Sequence, residues 1–119
     1  MCLIKKYKYP CFTIFPKTVY KRLDEENCMF VTPYRNNLVR MGETHIAEPC
    51  NKDIIKQAIH KKSLDEGFIH CYKNYKFANI YKYPCEYIAK CKIPAFTFYF
   101  IGIGGELVTR KLKYIKIME

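Results

Sequence analysis

Glu66-Gly67-Phe68-Ile69-His70-Cys71-Tyr72, followed across Lys73 by Asn74-Tyr75-Lys76-Phe77-Ala78-Asn79-Ile80-Tyr81, is the stretch on which the fold turns. Residues 68–71 read as a short buried strand opened by Gly67. Residues 74–81 read as a helix in which Phe77, Ala78 and Tyr81 share a face and which Pro84 ends. His70 therefore falls at the end of a strand, directly ahead of a helix. Unpaired N–H groups and the helix dipole converge at such a junction, which suits it to an anion or a nucleotide.

Working outward, residues 18–23 alternate Val19, Lys21 and Leu23 against Tyr20 and Arg22 and predict a strand, with 24–27 as its turn. Residues 29–34 predict a second strand ended by Pro33 and a turn at Arg35-Asn36-Asn37, and 38–41 and 44–47 flank Gly42 as extended pieces. A helix follows, with Asn51 as N-cap and Asp53 in its first turn. Ile54, Ile55, Ala58 and Ile59 then fall at helical spacing, and Lys61-Lys62 complements the C-terminus. Residues 63–67 read as a turn. Downstream, 87–93, 97–101, 107–108 and 112–117 read as strands. Gly102-Ile103-Gly104-Gly105 is a turn, not a phosphate loop, because no helical pattern follows it. The expected class is α+β, mostly antiparallel strands with two short helices, in one domain over 1–119. Residues 1–17 read as an N-terminal extension and 18–117 as the core.

At 119 residues the chain is long enough to bury about two-thirds of its unfolded surface. Half of its residues are hydrophobic and none of it is low-complexity, which argues against disorder. The longest apolar run, 96–103, is broken by Thr97 and Gly102 and falls far short of the ~20 residues of a membrane span. The lysines near the N-terminus have no continuous apolar region behind them, so no signal peptide and a cytoplasmic location are expected. Seven cysteines (2, 11, 28, 50, 71, 85 and 91) are odd in number and scattered, without Cys-x-x-Cys or zinc-type spacing. They are expected to be reduced and to bind no metal, with Cys71 and Cys91 acting as small buried apolar groups.

Twenty-one basic against 11 acidic residues give a formal charge of +10. From Gly67 onward there are nine Lys/Arg and three Glu, a local excess of six. A field of this sign concentrates nucleotides, nucleic acid or acidic lipid. Eleven Tyr and eight Phe interleave with lysines, as in residues 72–77, a composition suited to base stacking beside phosphate contacts. No helix-turn-helix pattern, RNA-module aromatic platform or zinc finger is present.

The order Gly67-Phe68-Ile69-His70-Cys71-Tyr72, then Ala78 and Tyr81, then 87–93 closed by Pro94, then a hydrophobic hairpin leading to Glu106-Leu107, resembles the central half of ADP-ribosyltransferase folds. Gly-Phe-Ile-His behind an acidic residue is also similar to a small bacterial family of that fold marked by Asp-Gly-Phe-Ile-His-Leu-Ser. Met1-Cys2-Leu3 and Thr32-Pro33-Tyr34 further resemble small proteins of phages and gut bacteria. The resemblance covers about residues 18–117, and 66–94 is its specific part.

The resemblance implies that Arg22, with Lys21 beside it, grips the phosphates of a dinucleotide. His70-Cys71-Tyr72 would stand where the transferases carry the Ser-Thr-Ser that orients the nicotinamide ribose, and Glu106 near their catalytic Glu. Two residues earlier, Gly104 replaces the customary acidic or Gln partner. His70, Tyr81 and Glu106 also supply the residue types of the second transferase class, with His70 on a later strand than that class uses. Three functions follow. The first is a non-catalytic binder of a nucleotide or nucleotide-derived signal, with Lys21, Arg22, His70, Tyr72 and Tyr81 as its ligand site and no cofactor. In a phage protein such a binder would be a sponge for a host defence second messenger, a linear or cyclic nucleotide. The second is a mono-ADP-ribosyltransferase or NAD glycohydrolase that uses NAD and Glu106, and Gly104 weighs against it. The third is a basic nucleic-acid or protein-binding module. No membrane partner is expected, and a homo-oligomer sharing the site is compatible with all three.

Overall fold

The computed structural model describes residues 3–32, 38–47, 53–64 and 67–118. Asn51, the Pro33-Tyr34 segment, the turn at 35–37, Asp65-Glu66, Cys2 and Cys50 lie outside the described residues. The elements run β1 (Leu3–Ile4), β2 (Cys11–Phe12), β3 (Lys17–Glu26), β4 (Met29–Val31), β5 (Leu38–Val39), β6 (Thr44–Ile46), α1 (Ile54–Ile59) and β7 (Ser63–Leu64). They continue with β8 (Ile69–Tyr72), α2 (Tyr75–Tyr81), β9 (Tyr87–Ile93), β10 (Phe98–Ile101), β11 (Glu106–Thr109) and β12 (Lys111–Met118). This is the mostly antiparallel α+β domain with two short helices that the patterning predicts.

One sheet carries the order β2-β10-β11-β8-β3-β9-β12-β6, with β4 on the far half of β3 and β5 beside β4. β3 is its axis. Its first half pairs with β9 from Lys17 opposite Ile93 to Leu23 opposite Tyr87, and its second half pairs with β4. On its other side β3 meets β8 at one register pair, Tyr20 opposite Tyr72, and the two strands then part. Side chains alternate between faces along a strand. Val19 and Leu23 of β3, Cys71 of β8, Cys91 of β9, Leu107 of β11 and Leu112 and Tyr114 of β12 thus form one buried cluster. Both halves of the sheet contribute to it, so the sheet curls around this face. The opposite face carries the helices. α1 covers a cluster with Leu3, Phe68, Phe100 and Val108, and α2 covers Tyr72 and Ile88 through Ala78.

Several elements differ from the sequence reading. Residues 24–26 continue β3 and are not a turn. The reversal takes two residues, Asn27 (φ 52°) and Cys28 (φ 65°), and a two-residue hairpin with both φ positive matches the twist of the strands it joins. Ser63 and Leu64 are not part of a turn either, because they pair with β1. The N-terminal segment is built into the fold over its described residues. Leu3 is 1% exposed, and β2 extends the sheet beside β10. Lys61 and Lys62 lie beyond the His60 C-cap of α1. The carbonyls of Ala58 and Ile59 instead accept from Lys5 Nζ, at 2.7 and 3.0 Å. Asp53 is the α1 N-cap and not a first-turn residue, and it makes no side-chain capping bond there.

Candidate functional site

The strand and helix that open the sequence reading lie close to where it puts them. Gly67, at φ +82°, turns the chain into β8 through a backbone conformation glycine adopts without steric cost. Its carbonyl accepts from Arg110. His70 is the second residue of β8, not its end. α2 begins after Asn74, whose side chain accepts from the Phe77 N–H at 3.1 Å. One of the helix's unpaired donors is therefore already satisfied.

On the α2-covered face, Tyr72 of β8 stands opposite Glu106 of β11, and Tyr20 and Arg22 of β3 lie across the parting. Tyr81, in the last turn of α2, stacks on Tyr72 with ring centroids 5.5 Å apart and planes 17° from parallel. Tyr72 is buried, whereas Tyr81 is 43% exposed and keeps an outer ring surface. The Arg22 guanidinium lies 5.8 Å from the Tyr72 ring centroid and 5.7 Å from that of Tyr83. It donates to the Tyr81 carbonyl at 2.8 Å and to Glu86 Oε1 at 3.2 Å. The same Glu86 oxygen accepts from the Tyr83 N–H at 2.8 Å. Arg22 thus fastens the end of α2 and the loop into β9 to the sheet.

Glu106 is, beside Glu86, a second acid of this face. Burial pushes its carboxyl above the ordinary carboxylate range, and the charge of Arg22 draws it partly back. A Cβ on Gly104 would come within 3.1 Å of Glu106 Oε1 and 3.5 Å of the Tyr81 hydroxyl. The carboxylate and the phenol therefore converge over the Gly104 backbone, at the position where the resemblance calls for a second acidic or Gln side chain. Gly105, at φ +79°, presses its Cα against the Phe77 ring, which a Cβ would meet at 2.6 Å. This fixes the loop to α2.

Arg22, Tyr72, Tyr81 and Glu106 are thus brought together, and Lys21 is not among them. As the neighbour of Arg22 on β3 it points to the other face, where its ammonium donates to the His70 carbonyl at 2.7 Å. That bond spans the gap where the β3–β8 ladder stops and satisfies an acceptor the ladder leaves over. His70 is half-buried on the same face as Tyr72, opposite Val108 of the α1 cluster. It sits two residue pairs along the ladder from Glu106.

Glu86 was missed by the sequence reading. A signal for it existed, because from Gly67 onward the chain has only Glu86, Glu106 and Glu119 to balance a buried cation. Among the described residues no group of three or more His, Cys, Asp or Glu is placed to hold a metal ion, and no helix is long and apolar enough to cross a membrane. No family model, curated protein or solved structure matches the chain.

Proposed function

We propose that the protein binds a nucleotide or nucleotide-derived signal, without turning it over, on the α2-covered face where β3 parts from β8. The observation that carries this reading is the convergence of the Tyr81 ring and hydroxyl with the Glu106 carboxylate over Gly104, braced by Arg22. The outer face of Tyr81 suits a base, since every base presents a π-surface to an aromatic ring. Glu106 suits a ribose hydroxyl or an exocyclic amine, which donate to a carboxylate. Arg22, paired with Glu86, supplies rigidity. An ADP-ribosyltransferase-like architecture belongs to the proposal, supported by the single β3–β8 register pair and the position of Glu106 on the strand beside β8. With a phage origin, the same site would sequester a host defence second messenger in the host cytoplasm.

The enzymatic alternative would use Glu106 without the acidic or Gln partner two residues earlier, where this chain has Gly104. Thermal-shift and calorimetric screening against NAD, ADP-ribose and linear and cyclic di- and trinucleotides, with the ligands weighed by mass spectrometry afterwards, separates the readings. A ligand at a hundredfold excess over its Kd stabilises by about 2.7 kcal/mol, or roughly 10 °C in Tm, and is expected back intact. Tyr81→Ala and Glu106→Gln are expected to weaken it at least tenfold with little change in the Tm of the free protein. Released nicotinamide would establish the enzyme instead, and no shift with any compound would sink the nucleotide reading.

A further inference from the structure

A second concentration of charge lies outside this face, and it is assembled by the pairing of two distant segments. β1 and β7 pair through Leu3 opposite Leu64 and Ile4 opposite Ser63, and the Lys5 N–H extends the pairing to the Lys62 carbonyl at 2.9 Å. The turn after β1 is thereby laid against the end of α1. Between them opens a crevice of about 500 Å³ lined by Lys5, Lys6, Lys8, His60, Lys61 and Lys62 with Tyr7, and no Asp or Glu among the described residues lines it.

The lysines divide into two kinds. Lys5 is a clasp. Its ammonium donates to the carbonyls of Ala58, Ile59 and Lys8, at 2.7, 3.0 and 3.0 Å, tying the turn to the helix end. Burial and the neighbouring Lys8 lower its proton affinity. Lys6, Lys8, Lys61 and Lys62 are exposed. Like charges gathered around a concave wall repel one another and focus a positive potential into the space between them. A crevice of this size falls within the range of small-molecule sites, roughly 300–1,000 Å³. Ammonium groups act as separate point charges and so suit phosphate oxygens spread along a chain better than one planar carboxylate. Tyr7, 55% exposed, adds a ring beside them.

We infer that this crevice is a binding site for a compact oligophosphate, such as the phosphate chain of a nucleoside polyphosphate. It shares no lining residue with the Tyr81–Glu106 face and stands independently of the function assigned there. Calorimetric titration of the full chain with inorganic tripolyphosphate, at low and at physiological salt, tests it. One equivalent is expected to bind. Lys61→Gln/Lys62→Gln is expected to weaken it at least tenfold, while Lys113→Gln/Lys116→Gln, a pair exposed on β12, changes it less than twofold. Both pairs are surface substitutions that leave the Lys5 clasp in place. Absence of saturable binding, or equal weakening by the two pairs, overturns the inference. So does a single-stranded oligonucleotide that displaces tripolyphosphate and spans several protein molecules, because the crevice would then be one segment of a nucleic-acid track.

Discussion

Replacing Glu86 by alanine tests how the candidate site is held. The Arg22–Glu86 pair is buried, with side chains 6% and 3% exposed. Glu86 Oε1 accepts from both Arg22 Nη1 and the Tyr83 N–H. Removing Glu86 leaves the Arg22 charge in a poorly solvated place with part of its compensation gone, at a cost of up to about 3–5 kcal/mol. The freed Tyr83 N–H adds little, because Tyr83 is exposed and its amide can turn to water. For a chain of this length the loss corresponds to a Tm lower by roughly 10–20 °C. Glu86→Gln keeps an acceptor but not the charge and is expected to fall between. Arg22→Met with Glu86→Leu removes both charges and is expected to recover most of the loss, since apolar residues of similar volume replace buried ion pairs at little or no cost. Urea and thermal denaturation of wild type, Arg22→Met, Glu86→Leu and the double variant, followed by circular dichroism, close the cycle. A Glu86→Ala cost below about 1 kcal/mol, or strictly additive single changes, would refute the reasoning by showing that the guanidinium is hydrated and held by something other than Glu86.

Further predictions test what is buried on the curled face of the sheet. The Tyr114 hydroxyl is buried without a hydrogen-bond partner among the described residues, so Tyr114→Phe is expected to hold or raise stability, by up to about 1–3 kcal/mol; a loss above about 1 kcal/mol on chemical denaturation would reveal a partner for it. Burial pushes the Cys71 thiol up to about 12 from 9.0. The native state therefore keeps a proton that the unfolded chain gives up, and stability should fall as pH rises from 9.0 toward 12. At neutral pH, alkylation mapped by mass spectrometry should label the exposed Cys28 and Cys85 and spare the buried Cys71 and Cys91 until the chain unfolds. Rapid native labelling of Cys71 would contradict the packing.

Local chemistry was legible where one short segment contains both the signal and its partner. β9 has the bounds that its alternation gives, Tyr87–Ile93. The end of α2 at Tyr81 follows from Pro84, within one helical turn of it, whereas Asn74, which the pattern includes in the helix, is its N-cap. The hairpin at Asn27-Cys28 was read too long because an acidic run resembles a turn in composition, whereas the pairing of Glu26 with Met29 is set by the strand across from it. β7 was read as part of a turn because Ser63-Leu64 becomes a strand only when Leu3-Ile4 arrives from the other end of the chain.

The site follows the same division. Sequence alone determined the strongly basic balance, the α+β patterning and the place of His70 at a strand–helix junction, because composition and periodicity are properties of neighbouring residues, whereas Arg22, Tyr72, Tyr81 and Glu106 became candidates through the resemblance. Tertiary structure decided which of them meet. It put Lys21 and Arg22 on opposite faces of β3, gave Arg22 a buried partner in Glu86, and drew Lys6 and Lys8 to Lys61 and Lys62 around one crevice. The physical reason is that a strand's pleat fixes which way each side chain points, while strand pairing between segments remote in the chain fixes what it points at.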